Sequence, residues 1–117
     1  MVTPLAIQVV VLDDKDSGHW IAQGLEYDIC VEADSWYDAL AEFKQGIAEQ
    51  QILDKHFNQA FLGGAPPAPP DFASELFNSR RSIPVEQSAI DAIAPKKPSD
   101  EVNALVANLK LTVRVWT

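Results

Sequence analysis

The chain is predicted to fold as α+β: an antiparallel sheet of about four strands with one long helix packed across one face. Apolar and polar residues alternate over residues 27–33, where Tyr27, Ile29, Val31 and Ala33 face one way and Asp28, Cys30 and Glu32 the other. Immediately after, Trp36, Ala39, Leu40, Phe43 and Ile47 recur at three- and four-residue steps, the spacing of a helix with one apolar stripe. A second alternating run, Leu111, Val113 and Val115, closes the chain. At 117 residues there is room for one domain that buries roughly two-thirds of its unfolded surface, residues 1–117 forming a single unit.

The first strand starts at Leu5. Leu5, Ile7, Val9 and Val11 share one face and Ala6, Gln8, Val10 and Leu12 the other, so both faces are largely apolar. Residues 13–18 supply Asp, Ser and Gly, which accept the backbone angles of a reversal. A second strand over 19–23 and a corner at Gly24, Leu25 and Glu26 lead into the alternating strand 27–33. Asp34 and Ser35 then offer a helix N-cap, and Asp38 adds a favourable charge near that terminus. The helix is expected to run to about Gln51, with Glu42, Lys44 and Glu49 off its apolar stripe.

Past Phe57 the pattern degrades. Gly63 and Gly64 followed by the proline-rich residues 65–70 predict an extended loop, because proline lacks an amide donor and clashes backwards in a helix. Asp71 would cap a short helix over 72–78, and a single turn is expected over 88–93. Ser99 opens a helix in which Val102, Leu105, Val106 and Leu109 share a face, followed by the closing strand over 109–116. Residues 1–53 thus form the core, and 54–108 are a loop and short-helix extension with the proline-rich loop at 63–70.

No apolar run approaches the ~20 residues that span a bilayer, so no membrane partner is expected. The start, Met1-Val2-Thr3-Pro4, lacks the basic and apolar blocks of a signal peptide, and one cysteine permits no internal disulfide; a cytoplasmic location is expected. Net charge is -8, and its distribution is lopsided. Residues 1–60 carry eleven acids against three bases, whereas residues 61–117 balance at six of each. Such an acidic half repels phosphate backbones and attracts basic partners, besides serving solubility.

The order of Trp20, Ala22 and Gln23, then Leu25, Glu26, Asp28 and Ile29, then Asp34 with Asp38-Ala39-Leu40 opening a helix, resembles the HicB-like antitoxin family over about the first fifty residues. The resemblance implies a partial RNase H-like unit that binds proteins and performs no chemistry. Ala33 stands where many relatives carry glycine, and residues 71–117 contain no Arg- or Lys-rich recognition helix, so direct nucleic-acid binding is not expected.

An RNase H-like nuclease needs carboxylates converging on metal ions, for which Asp13, Asp14, Asp28 and Glu42 are the candidates. Turn aspartates and solvated strand and helix flanks account for them more simply, so no catalytic residue, metal ligand or cofactor is assigned. His19 and His56 lack ligand spacing. Cys30 shares a face with Asp28 and Glu32, whose charge opposes a thiolate, and reads as structural. The pairs Arg80-Arg81 and Lys96-Lys97 are too short for a nucleic-acid footprint. The proline run offers an extended ligand or, more simply, a packed loop.

Trp116, on the side of the last strand shared with Lys110, Thr112 and Arg114, is an aromatic beside polar neighbours and so a plausible anchor. The candidate partner-binding residues are therefore Asp28, Glu32, Arg114 and Trp116. The expected function is that of a non-catalytic interaction module, a homodimer or higher homo-oligomer, which as an antitoxin would neutralise a small basic RNA-binding toxin. An orphan structural or regulatory homo-oligomer without a toxin is the alternative, and a metal-dependent nuclease the third reading.

Overall fold

The computed structural model describes residues 5–59, 67 and 82–116. Three consecutive strands, β1 (Leu5–Asp14), β2 (His19–Gly24) and β3 (Cys30–Ala33), lead into the long helix α1 (Trp36–His56). After the short strand β4 (Ser82–Pro84) come two short helices, α2 (Gln87–Asp91) and α3 (Asp100–Ala107), and the closing strand β5 (Leu109–Trp116). The α+β class and the helix-on-sheet arrangement are as expected. The expected loop at 63–70, apart from residue 67, and the helix at 72–78 lie outside the described residues, as do Arg80 and Arg81.

The sheet has five strands in the order β3-β2-β1-β5-β4, and it is mixed rather than wholly antiparallel. β1 pairs antiparallel with β2 but parallel with β5. The reason is connectivity: a parallel neighbour needs a crossover of a dozen or more residues, which the long connection through α1, α2 and α3 supplies. The two apolar faces of β1 suit this central place. Val9 lies opposite Gly24 on one side and Val113 on the other, and Val11 opposite Ala22 and Val115.

The core lies between the sheet and α1. Ile7, Val9 and Val11 with Leu111 and Val113 meet Ala39, Leu40, Phe43 and Ile47, and none of these is more than 1% exposed. Each of these side chains larger than Ala39 contributes about 1.5–3 kcal/mol by leaving water. Ile90 of α2 and Ile93 just beyond it, buried to the same degree, close one flank.

The third strand starts at Cys30, three residues later than the alternation suggests. Tyr27 and Ile29 do pack against the core, yet their backbone makes a tight turn in which Ile29 N–H donates to Tyr27 O at 2.7 Å. Before it, Leu25 N–H donates to Gln8 O at 3.0 Å, and the Glu26 carboxylate accepts the Gln8 N–H through both oxygens, at 3.0 and 2.9 Å. The acid thus takes the place of a backbone carbonyl where β2 has left the ladder. Gly24 permits the corner, since a Cβ there would lie 2.8 Å from Tyr27 O and 3.1 Å from Phe43 Cζ.

Ser35 caps α1, its Oγ accepting the Asp38 N–H at 3.0 Å. The helix continues to His56, beyond the expected end at Gln51. Side-chain bonds one turn apart run along it, from Gln45 to Glu49 and from Gln50 to Asp54, and Lys55 places a cation in its last turn. Lys44 differs most from expectation: it is only 5% exposed, and its Nζ donates to Ile90 O at 2.7 Å and Ile93 O at 2.8 Å. The single turn expected over 88–93 is α2, and Ser99 caps α3 by accepting the Val102 N–H at 3.2 Å.

Candidate functional site

Where the edge strand β3 passes into α1, four acidic residues border one open cleft. Glu32 lies on β3, Asp34 precedes the cap, and Asp38 and Glu42 project from the first turns of α1 into an open cleft of about 360 Å³. Two residues from other elements complete its wall: His19 at the start of β2 and Lys96 from the segment joining α2 to α3. β2 places His19 there because its register sets Trp20 opposite Ala33, so that His19 emerges beside the end of β3.

The local geometry is electrostatic. His19 Nδ1 lies 3.5 Å from Glu32 Oε2 and Nε2 lies 4.0 Å from Asp34 Oδ1. Lys96 Nζ lies 3.5 Å from Asp38 Oδ1. Asp34 is 94% exposed at its side chain, so the cleft has solvated acid to offer an incoming cation. Asp38 and Glu42, four residues apart on a helix, form a like-charge pair of the kind that costs about 0.2–0.5 kcal/mol. At Asp38 the positive end of the α1 dipole and the Lys96 ammonium offset that cost.

The four residues expected to bind a partner fall into two groups. Asp28 and Glu32 belong to the β3 edge, whereas Arg114 and Trp116 lie on β5, with β2 and β1 between. Glu32 lines the cleft, but Asp28 accepts from Gln23 Nε2 at 2.8 Å and holds that buried amide in place. Arg114 and Trp116 are both half-buried, on the face of the sheet turned away from α1. In register across that face, Leu12 sits between Ile21 and Trp116, and the buried Trp116 Nε1–H has no hydrogen-bond partner among the described residues.

The candidate nuclease acids do not share a site. Asp14 accepts from Asp16 N–H and Ser17 Oγ–H and organises the β1–β2 turn, Asp28 serves Gln23, and Glu42 alone of the four lines the cleft. Among the described residues, no three of His, Cys, Asp and Glu are grouped to hold a metal ion. His56 is exposed at the end of α1, its ring set edge-on to Phe57 at 4.9 Å.

Cys30 is exposed rather than packed as a structural cysteine would be, because outward positions of the edge strand β3 are open to solvent. Partial desolvation of its sulfur, followed by the charges of Glu32 and Asp28, pushes the thiol pKa up and weakens it as a nucleophile. Lys44 shifts the other way: desolvation lowers its pKa, and the charge of Asp91 partly restores it.

Residue spacing carried a signal for the cleft, since Glu32 and Asp34 are two apart and Asp38 and Glu42 four apart on either side of a cap. Lys96 carried none, because only the chain path between α2 and α3 brings it to Asp38. Among the described residues, no helix is long and apolar enough to cross a membrane. Comparison with protein-family models, with curated proteins and with solved structures yields no match to this chain.

Proposed function

We propose that this chain is a non-catalytic protein-interaction module of the HicB-like kind, and that its acidic cleft receives basic side chains of a partner. The reading rests on Glu32, Asp34, Asp38 and Glu42 all lining one open cleft. A patch of one sign accelerates encounter with the opposite sign and fixes register once the partners meet. As an antitoxin, the module would cover the basic face that a small toxin uses for RNA. The order of three strands and a helix that underlies the resemblance agrees with this role, and the role needs no reactive group.

The test is co-expression with a small basic protein encoded beside this chain, followed by co-purification and a growth assay. The expected result is a complex that forms with the wild-type chain, weakens about tenfold or more in a Asp34→Asn/Glu42→Gln variant, and dissociates at high salt. A complex indifferent to both changes would retire the cleft, and the lack of any such complex would retire the antitoxin role.

A second reading, an orphan structural or regulatory homo-oligomer, is favoured by the row Ile21, Leu12 and Trp116 on the face opposite α1. Sedimentation of the wild type and of Trp116→Ala separates it from the first, since self-association through that row would be lost in the variant. The nuclease reading remains third; magnesium- or manganese-dependent cleavage abolished by Asp13→Asn would establish it instead.

A further inference from the structure

Building on the reading of this chain as an interaction module, we infer that the open edge of β3 receives an extended segment of the partner as an added strand, one in which basic and apolar residues alternate.

The sheet ends at β3 on one side and at β4 on the other, and the two edges differ in what they offer. Gly24 N–H donates to Ile29 O at 2.9 Å, so Gly24 and Ile29 form a hydrogen-bonded pair. Bonded and unbonded pairs alternate along an antiparallel ladder, and the register therefore bonds Ala22 with Val31 and Trp20 with Ala33. Cys30 and Glu32 occupy the unbonded positions, and their N–H and C=O groups point away from β2. Among the described residues, no backbone group meets them. At β4 the bond from Val85 N–H to Val113 O sets the same alternation and turns Ser82 and Pro84 outward. Pro84 has no N–H to give, so that edge is a poor template for a further strand.

No proline blocks β3. Its guard is charge, from Glu32 within the strand and from Asp28 and Asp34 just beyond its two ends. That charge selects the occupant. A second copy of this chain would pair antiparallel about a two-fold axis, and every register that uses Cys30 and Glu32 sets Glu32 across from, or diagonal to, a carboxylate of the copy. Like charges so placed oppose the pairing. A strand with Lys or Arg at alternate positions brings the opposite sign to the same places. Its intervening side chains fall beside Val31 and Ala33, which are half-buried against the core, and are therefore apolar. Backbone bonds hold such a strand, and its alternating side chains select it.

The experiment titrates a short fluorescent peptide alternating Arg and Val into the full chain and reads anisotropy, with amide exchange at Cys30 and Glu32 followed by nuclear magnetic resonance. Two further peptides of the same sequence and charge are N-methylated, one at its Arg amides and the other at its Val amides. Only one of these sets faces β3 in an added strand. One methylated peptide is expected to bind about tenfold or more weakly and the other to bind like the parent, and exchange at Cys30 and Glu32 should slow on binding. Cys30→Pro removes an outward N–H and no bond to β2, so it should weaken the parent peptide while Cys30→Ala does not. Near-ultraviolet circular dichroism checks the fold of both variants, and the peptide series on the wild type decides the matter if Cys30→Pro is unfolded.

Equal binding of all three peptides, unchanged exchange at Cys30 and Glu32, or no binding of the parent peptide would overturn the added strand. Failure of the cleft looks different. Glu42→Gln alters the cleft and leaves the β3 edge as it is. Binding that ignores methylation but weakens in Glu42→Gln would overturn the edge and keep the cleft; methylation-sensitive binding undiminished in that variant would support the edge and retire the cleft.

Discussion

The Lys44 ammonium nitrogen lies 2.7 Å from the carbonyl oxygen of Ile90 and holds α2 against α1 through a buried charge. Ile90 O lies at the C-terminal end of α2, where the helix dipole favours a cation, and the second bond, to Ile93 O, holds the segment just beyond that helix. The same contact fixes the start of the strap, the segment joining α2 to α3 that carries Lys96.

Replacing Lys44 with Met leaves two buried carbonyls without that donor, and a loss of about 1–3 kcal/mol is expected in urea unfolding at pH 7. The pH dependence has a definite sign. The folded-state pKa lies below the ordinary value of 10.5, so with rising pH the folded state releases this proton before the unfolded state does. The unfolded state then binds more protons, and stability gains from Lys44 between its lowered pKa and 10.5. The wild-type minus Lys44→Met difference should therefore grow from pH 8 to pH 10; a shrinking difference would refute the buried-ammonium account.

Gly24 and Gly46 are expected to respond to alanine in opposite directions. At Gly24 the new Cβ meets Tyr27 O at 2.8 Å, and that carbonyl already accepts Ile29 N–H and cannot easily yield. A loss of about 1–3 kcal/mol should follow. At Gly46, inside α1, no atom lies within 4 Å of the added carbon, so alanine should gain about 0.5–1 kcal/mol from helix propensity alone. Urea midpoints of the two variants check both signs.

Glu26 should matter more than an exposed acid usually does. Glu26→Ala removes both acceptors of the Gln8 N–H and is expected to cost about 1 kcal/mol, whereas Glu26→Gln keeps one oxygen and should cost less than half of that. Amide exchange at Gln8 offers a local readout: protection should fall in Glu26→Ala and persist in part in Glu26→Gln.

Cys30 should be accessible yet slow. Its raised pKa leaves less thiolate at pH 8 than an ordinary cysteine, so reaction with a disulfide reagent should be complete but several-fold slower than that of a free thiol, and should still accelerate above pH 9. Because desolvation outweighs the carboxylates as the cause, Glu32→Gln should recover only part of the rate.

Local chemistry was enough to reveal the strands β1, β2 and β5, the Ser35 and Ser99 caps and the apolar stripe of α1, because periodicity and capping act between residues a few positions apart. The same locality explains the misplaced start of β3: Tyr27 and Ile29 have the alternation of a strand and do face the core, but Glu26 binding to Gln8 fifteen or more positions away bends the backbone out of the ladder. Lys44 falls off the apolar stripe and yet is buried for a related reason, since its burial depends on the arrival of residues 90–93 from the far side of the chain.

By itself, the sequence determined the α+β class, the helix that roofs the sheet and the concentration of acid in the first sixty residues. Only the tertiary structure decided that β5 runs parallel to β1, and that Glu32, Asp34, Asp38, Glu42 and Lys96 line one cleft. Alternation and helical spacing state which way a side chain points from its own element. Which elements become neighbours is settled by how the whole chain buries its apolar surface, and a site shared by β2, β3, α1 and the strap exists only after that choice.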